Sequence, residues 1–178
     1  MSLVIICGAT ATGKSDLAIS VAKEINAEIV NADSMQLYKG MDIGTAKLSL
    51  LEREGIKHHL LDELEISEEA NVSWYQGQAR KIIDNLIDSG KSVVVVGGTG
   101  LYVTAIVDGL DMPGEFPEIR AELEANEDTE ALFAQLLALD PEATTKMEPN
   151  NRRRIIRALE VCLGSGEKFS SFGEGIGS

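Results

Sequence analysis

The chain has 178 residues, 44% of them apolar, with 16 Lys plus Arg against 29 Asp plus Glu and a net charge of −13. This length and apolar content suit one globular domain that buries a core without disulfides or a structural metal, which excludes a wholly disordered chain. No apolar run approaches the ~18 residues of a membrane span and the N-terminus enters a strand-like run at once, so neither an anchor nor a signal peptide is expected. Cys7 and Cys162 sit far apart in apolar runs and read as buried free thiols of a reducing, cytoplasmic compartment.

A net negative charge argues against nucleic acid as a partner, because phosphate binding depends on Lys and Arg. The charge is unevenly spread, however: residues 111–150 carry 11 acidic side chains against 2 basic ones, and residues 151–178 carry 5 basic against 3 acidic. Arg152, Arg153, Arg154 and Arg157 form a basic cluster that the whole-chain charge conceals.

Leu3 to Cys7 reads as a short strand ending at Gly8, and the apolar spacing of Leu17, Ala18, Val21, Ala22 and Ile25 predicts a helix from Lys14 onward. Ala27 to Ala32 predicts a second strand that leaves the sheet at Asp33-Ser34, so Asp33 falls at a strand's C-terminal end. Ser73 with Gln76 reads as a capping box for a helix with Ala79, Ile82, Ile83, Leu86 and Ile87 on one face and Gly90 as its stop. Val93 to Val96 lacks polar alternation, as a central parallel strand covered on both faces requires, and runs into Gly97-Gly98-Thr99-Gly100. This order predicts an α/β fold with a parallel sheet flanked by helices and ligands at the strands' carboxyl ends.

Beyond Asp111 the pattern becomes a small acidic helical insert: Pro117 suits a first helical turn, and Leu132, Leu136 and Leu139 mark another helix. A last helix carries Ile155, Ile156, Leu159, Cys162 and Leu163 up to Gly164-Ser165-Gly166, and the aperiodic end from Phe172 to Ser178 reads as loose. The expected division is an α/β catalytic core over residues 1–112 and a helical insert with a basic helix over 113–178.

Gly8-Ala9-Thr10-Ala11-Thr12-Gly13-Lys14-Ser15 fits G-x-x-x-x-G-K-[ST] between a strand and a helix. Its amides and the helix dipole suit a diphosphate, Lys14 adds positive charge, and the Ser15 hydroxyl suits Mg²⁺. Nucleotide hydrolases commonly place an acid after the adjacent strand to hold magnesium. Here Gly97 follows the valines, Asp33 is the best placed acid, and the loop reads as a holder of a pyrophosphate leaving group.

Further blocks follow: Asn31-Ala32-Asp33-Ser34-Met35-Gln36-Leu37-Tyr38, Gly40-Met41-Asp42-Ile43-Gly44-Thr45-Ala46-Lys47, His58-His59-Leu60-Leu61-Asp62 and Gly97-Gly98-Thr99-Gly100-Leu101-Tyr102. Together with the phosphate loop they resemble the tRNA isopentenyltransferase family, the tRNA dimethylallyltransferases. The likeness continues through Phe116 to Arg120, Asp140-Pro141-Glu142 and Arg152 to Val161. It implies a P-loop-containing nucleoside triphosphate hydrolase-like fold. It also implies transfer of a dimethylallyl group from dimethylallyl diphosphate to N6 of adenosine 37, beside the anticodon, in tRNAs reading codons that start with U.

The resemblance makes Asp33 the general base, with Lys14, Thr99, the loop residues Gly8 to Ser15 and Mg²⁺ on Ser15 stabilising the pyrophosphate. It places Asp33, Ser34, Met35, Gln36 and Thr99 around the flipped-out adenosine and Arg120 on RNA near the pocket. The stretch Arg153, Arg154, Ile155, Ile156 and Arg157 would lie along the anticodon stem-loop. A cytoplasmic monomer is implied. The sequence departs from the family at Ala9, where Pro is usual, and at Phe116, where Asp is common; family members also continue into a C-terminal part beyond the Glu167–Ser171 block.

His58-His59 reads as structural for want of further metal ligands, Trp74 and Tyr75 as core or staple residues, and Asp42 and Lys47 as loop-ordering residues. Two alternatives stay open. One is a P-loop kinase of a small metabolite, against which stands the single arginine, Arg120, in residues 111–150; the other is a fragment that binds diphosphate or tRNA without turnover.

Overall fold

The computed structural model describes residues 1–109 and 112–172, which fall into two compact units, Met1–Gly109 and Leu110–Ser178. In the first unit, β1 (Leu3–Cys7), β2 (Ala27–Asn31), β3 (His58–His59) and β4 (Ser92–Gly97) form a parallel sheet in the order β1-β4-β2-β3. Leu3 pairs with Val93 and Cys7 with Gly97, while Asn31 of β2 pairs with Val96. The carboxyl ends of β1, β2 and β4 are therefore level.

Strand β4 lies between two neighbours and its valines 93, 94 and 95 are fully buried, as a run without alternation requires. Val94 packs with Ile29 against Ala18, Ile19 and Ala22 of α1 (Lys14–Glu24). Val93 and Val95 point the other way, with Val30, against Tyr75, Ala79, Ile83 and Leu86 of α2 (Val72–Asp88) and Tyr102 of α3 (Gly100–Val107). Helices thus cover both faces.

Helix α2 starts earlier than the Ser73–Gln76 reading: Asn71 is the N-cap and its side chain accepts the Trp74 N–H at 2.7 Å. Asparagine outranks most residues at this position, and Gln76 is instead buried, donating to the Ala105 carbonyl at 2.8 Å. Two elements of this unit were not legible beforehand. Strand β3 has two residues, too few for an alternation signal, and α3 follows directly on a glycine turn.

The second unit comprises α4 (Pro117–Ala125), α5 (Thr129–Leu139), α6 (Pro141–Thr145), α7 (Arg152–Ser165) and a 3₁₀ turn at Phe169–Ser171. Leu123, Leu132, Leu136, Ile155, Ile156, Ala158 and Leu159 form its core. The side chains of Ile155 and Ile156 are therefore inward-facing, which corrects their assignment to an RNA-contacting surface. Asp128, Asp140 and Asn151 cap α5, α6 and α7. Asp140, fully buried, also accepts the Ser170 N–H and hydroxyl at 2.7 and 2.8 Å.

Helix α7 continues through Gly164, which was read as part of its stop, and ends at Gly166 with φ +75°. A Cβ at Gly164 would fall 2.1 Å from Cγ of Phe116, so this glycine makes room for that ring. Cys7 is exposed and Cys162 partly exposed, both as free thiols, which corrects the expectation of burial: Cys7 ends a strand at the rim of the sheet. The tail 173–178, read as loose, lies outside the described residues.

Candidate active site

The level strand ends bring three segments together. The phosphate loop leaves β1 at Gly8 and enters α1 through Gly13, the left-handed N-cap at φ +77°. Lys14 Nζ donates to the Ala9 carbonyl at 2.5 Å and the Thr12 hydroxyl donates to the same oxygen at 2.8 Å, so the Ala9 carbonyl closes the loop. The Lys14 ammonium keeps two further N–H groups for a phosphate. The half-buried Ser15 hydroxyl has no partner among the described residues and lines a small cavity with Asn31, Gln36, His58, Leu61 and Val96.

Gly97 explains why no acid follows the valine strand. A Cβ there would fall 2.1 Å from both the carbonyl carbon and oxygen of Ala32. Only glycine admits this approach, in which Ala32 N–H donates to Val96 at 2.7 Å and Thr99 N–H to the Ala32 carbonyl at 3.1 Å. A Cβ on Gly98 would lie 3.5 Å from the Gly8 carbonyl and 4.0 Å from Asp33 Oδ2, so the glycine turn sits between the phosphate loop and the acid.

Asp33 is aimed by its neighbours. Its Oδ1 accepts the Met35 N–H at 2.9 Å, and its own N–H donates to Asn31 Oδ1 at 3.1 Å. Asn31, 3% exposed, donates through Nδ2 to the carbonyls of Asp33 and Leu60 at 2.9 Å each, and its carbonyl accepts the Tyr75 hydroxyl at 2.9 Å. Tyr75 stacks on Tyr102 with ring centroids 3.8 Å apart. Burial raises the pKa of both phenols, and for Tyr102 the nearby Tyr38 and the Asp33 charge add to the effect, so both stay protonated at neutral pH. Asn31 as the support of Asp33 was not legible in sequence.

Thr99 caps the turn: its Oγ1 accepts the Ser34 N–H at 3.0 Å and donates to Ser34 Oγ at 3.3 Å. Met35 is 46% exposed. Gln36 is drawn aside, donating through Nε2 to the Thr45 carbonyl at 2.9 Å. Lys47, its side chain 2% exposed, donates to the Tyr38 carbonyl at 2.7 Å and pairs with Asp62 at 2.6 Å and Asp42 at 3.0 Å. Burial alone would lower its pKa, but these two carboxylates outweigh burial and raise it. One ammonium thus ties the two family blocks to the loop after β3, as the loop-ordering expectation required.

His58 and His59 are both engaged by neighbouring protein groups. His58 Nδ1–H donates to the Ile56 carbonyl at 2.9 Å, and burial pushes its pKa down. His59 Nε2 lies 2.6 Å from Glu28. No group of three or more His, Cys, Asp or Glu able to hold a metal occurs among the described residues. The Ser15 hydroxyl, without a partner among the described residues, is of a kind that could join a Mg²⁺ ion whose other ligands are water and phosphate oxygens.

In the second unit the basic cluster divides. Arg152 donates to the carbonyls of Glu124 and Asn126 and to the Thr129 hydroxyl at 3.1, 2.8 and 3.3 Å. Arg157 donates to the carbonyls of Gly114 and Pro113 at 3.2 and 2.9 Å and pairs with Glu160 at 3.0 Å. Both serve as staples within the unit. Arg153 and Arg154 are exposed, and their side chains have no partner among the described residues. Arg120 donates through Nε to Glu124 at 2.9 Å, and this hydrogen bond is the main cause of its raised pKa; burial opposes it, and the charges of Glu124, Glu160 and Glu115 add to the rise.

A parallel sheet with a glycine-lysine-serine phosphate loop at one strand end and an acid at the next defines a P-loop NTPase-like protein without the hydrolase's acid after the central strand. Residues 36–175 match the family model described as IPP transferase, and the chain belongs to that family. It is 52% identical over 180 residues to the tRNA dimethylallyltransferase of Thermobifida fusca, covering 96% of this chain and 56% of the relative. The corresponding enzyme of Acidothermus cellulolyticus is 52% identical over 172 residues, with 95% and 54% covered.

Among solved structures, a eukaryotic dimethylallyltransferase acting on tRNA superposes with a TM-score of 0.83 at 33% identity, over 96% of this chain and 44% of that one. The full-length tRNA isopentenylpyrophosphate transferase of Bacillus halodurans gives 0.62 at 40% identity, over 93% and 56%. The chain thus spans about half the length of the relatives it matches.

Proposed function

We propose that this chain carries the donor and base half of a tRNA dimethylallyltransferase, moving a dimethylallyl group from dimethylallyl diphosphate to N6 of adenosine 37 in tRNAs reading codons that start with U. The observation that supports this best is the convergence of the phosphate loop, Asp33 and the Thr99 turn at three level strand ends, with Gly98 between Gly8 and Asp33. An exocyclic adenine amine is a weak nucleophile that needs a base close to the leaving group, and the nearness of the Asp33 carboxylate to the phosphate loop supports this reading.

In the reaction Asp33 Oδ2 takes a proton from N6 as the nitrogen lone pair forms the bond to C1 of the allyl group. The C1–O bond breaks and its electron pair leaves on pyrophosphate. The amides of residues 12–15 and the Lys14 ammonium receive that charge. The Ser15 hydroxyl would hold Mg²⁺, which would supply further neutralisation of the diphosphate. Thr99 fixes Ser34, and with it the segment Asp33 to Gln36 on which the flipped adenosine would lie. Arg120, Arg153 and Arg154 would hold the anticodon stem-loop. Its acidic surface favours a monomer, and its tRNA substrate and unpaired thiols suit the cytoplasm.

Incubation with tRNA, dimethylallyl diphosphate and magnesium, followed by mass spectrometry of the nucleoside digest, tests the reading. Dimethylallyladenosine in the digest supports it. Calorimetric preference for ATP over dimethylallyl diphosphate, with no modified nucleoside, overturns it in favour of a kinase.

A further inference from the structure

Glu160 lies within α7 with 1% of its surface exposed, and its two oxygens are used unequally. Oε1 accepts the Phe116 N–H at 2.8 Å and faces Arg157 Nη1 at 3.0 Å. Oε2 has no hydrogen-bond partner among the described residues, and Arg120 Nη1 stands 3.9 Å from it. A buried carboxylate oxygen is normally satisfied, and an ionised one demands a cation. The guanidinium of Arg120 is placed to supply it.

The arginines of this unit differ in how much charge they have left to offer. Arg157 is committed to Glu160 and to the Pro113 and Gly114 carbonyls. Arg120 stands between Glu124 on its Nε side and Glu160 on its Nη1 side, and its Nη2 has no partner among the described residues. Arg153 and Arg154 have no acid beside them among the described residues. An arginine balanced by carboxylates still presents donors in a rigid fork, but it adds little to the release of counterions from a phosphate backbone.

We propose that Glu160 is a positioning residue for RNA binding: it sets the guanidinium of Arg120 so that the free Nη2 edge donates hydrogen bonds to RNA with its charge already balanced, while Arg153 and Arg154 supply the phosphate-neutralising charge. This rests on the tRNA reading above. Phosphate contacts give affinity that falls with salt, and directed hydrogen bonds give register. Glu160 thereby separates the two kinds of contact within one unit.

The test is fluorescence-anisotropy titration of an anticodon stem-loop RNA with the full chain between 50 and 300 mM salt. Arg153→Ala and Arg154→Ala should each reduce the slope of log affinity against log salt by roughly 0.7–0.9. Arg120→Ala should weaken binding about tenfold with the slope unchanged. Glu160→Gln keeps the volume and an acceptor for Phe116; it should weaken binding like Arg120→Ala, and the double variant should be no weaker than either single one. Additive losses, or tighter binding by Glu160→Gln with a steeper slope, overturn the proposal alone.

Should Glu160→Gln fail to fold, the exposed Glu124→Gln variant decides. Affinity retained within about twofold supports Glu160 as the positioning group, whereas a loss equal to that of Arg120→Ala assigns the role to Glu124 and overturns it. Absence of RNA binding by the unsubstituted chain overturns the tRNA reading and this proposal together.

Discussion

The backbone N–H of Ser34 donates to the side-chain hydroxyl of Thr99 at 3.0 Å, joining residues 65 positions apart at the ends of two adjacent strands. This bond makes the exit of β2 and the glycine turn after β4 one rigid object. Thr99→Ala removes it and leaves the Ser34 N–H unpaired, so stability should fall by about 1–2 kcal/mol in denaturant titration and transfer should drop at least tenfold. Thr99→Ser keeps the hydroxyl and should restore most of both; equal loss in the two variants would count against the bond.

Asp33→Asn preserves the shape of the turn and removes the base. Transfer measured by nucleoside mass spectrometry should fall by a factor on the order of 10² to 10⁴, with the affinity for dimethylallyl diphosphate unchanged in calorimetry. Lys14→Ala should do the opposite, weakening diphosphate binding by about 1.5–3 kcal/mol through loss of a charge-assisted contact. Retained turnover in Asp33→Asn would sink the base assignment.

Gly97→Ala places a methyl group 2.1 Å from the Ala32 carbonyl, where backbone cannot yield cheaply. A loss of about 3 kcal/mol or more is expected, seen as a lowered thermal midpoint. Gly98→Ala, whose nearest neighbour would be 3.5 Å away, should fold normally. Similar melting of the two variants would refute the distinction.

Burial holds the His58 pKa below its ordinary 6.5, and the folded chain therefore binds this proton less readily than the unfolded one. The stabilisation is full above the unfolded pKa and is lost as pH falls from about 6.5 toward the folded value, at up to about 1.4 kcal/mol per unit. His58→Gln should flatten the stability profile between pH 6.5 and 5. An unchanged slope in chemical denaturation across that window would contradict the assignment.

Much of the first unit was legible in the amino-acid sequence because its signals are local. The phosphate loop is a contiguous motif, the valine strand announces its own burial, and Asp33 falls at a strand end by counting. Ile155 and Ile156 also obeyed helical periodicity, and that periodicity is what places them in the core although they stand within a basic stretch. The capping box misled because two good capping residues, Asn71 and Ser73, lie within one turn of each other, and only packing chose between them.

The sequence by itself determined the glycine-lysine-serine loop, the parallel α/β order and the family, since each is carried by residues adjacent in the chain or repeated at a helical or strand period. Only the tertiary structure decided what supports them. Asn31 aims Asp33 through contacts that reach Leu60 and Tyr75, and Lys47 closes on Asp62. Four arginines that look alike in sequence divide into two staples and two whose side chains have no partner among the described residues, according to which carbonyls and carboxylates the fold brings near them. Hydrogen bonds and ion pairs act over about 3–4 Å, and their partners are set by how distant segments pack, which no local pattern encodes.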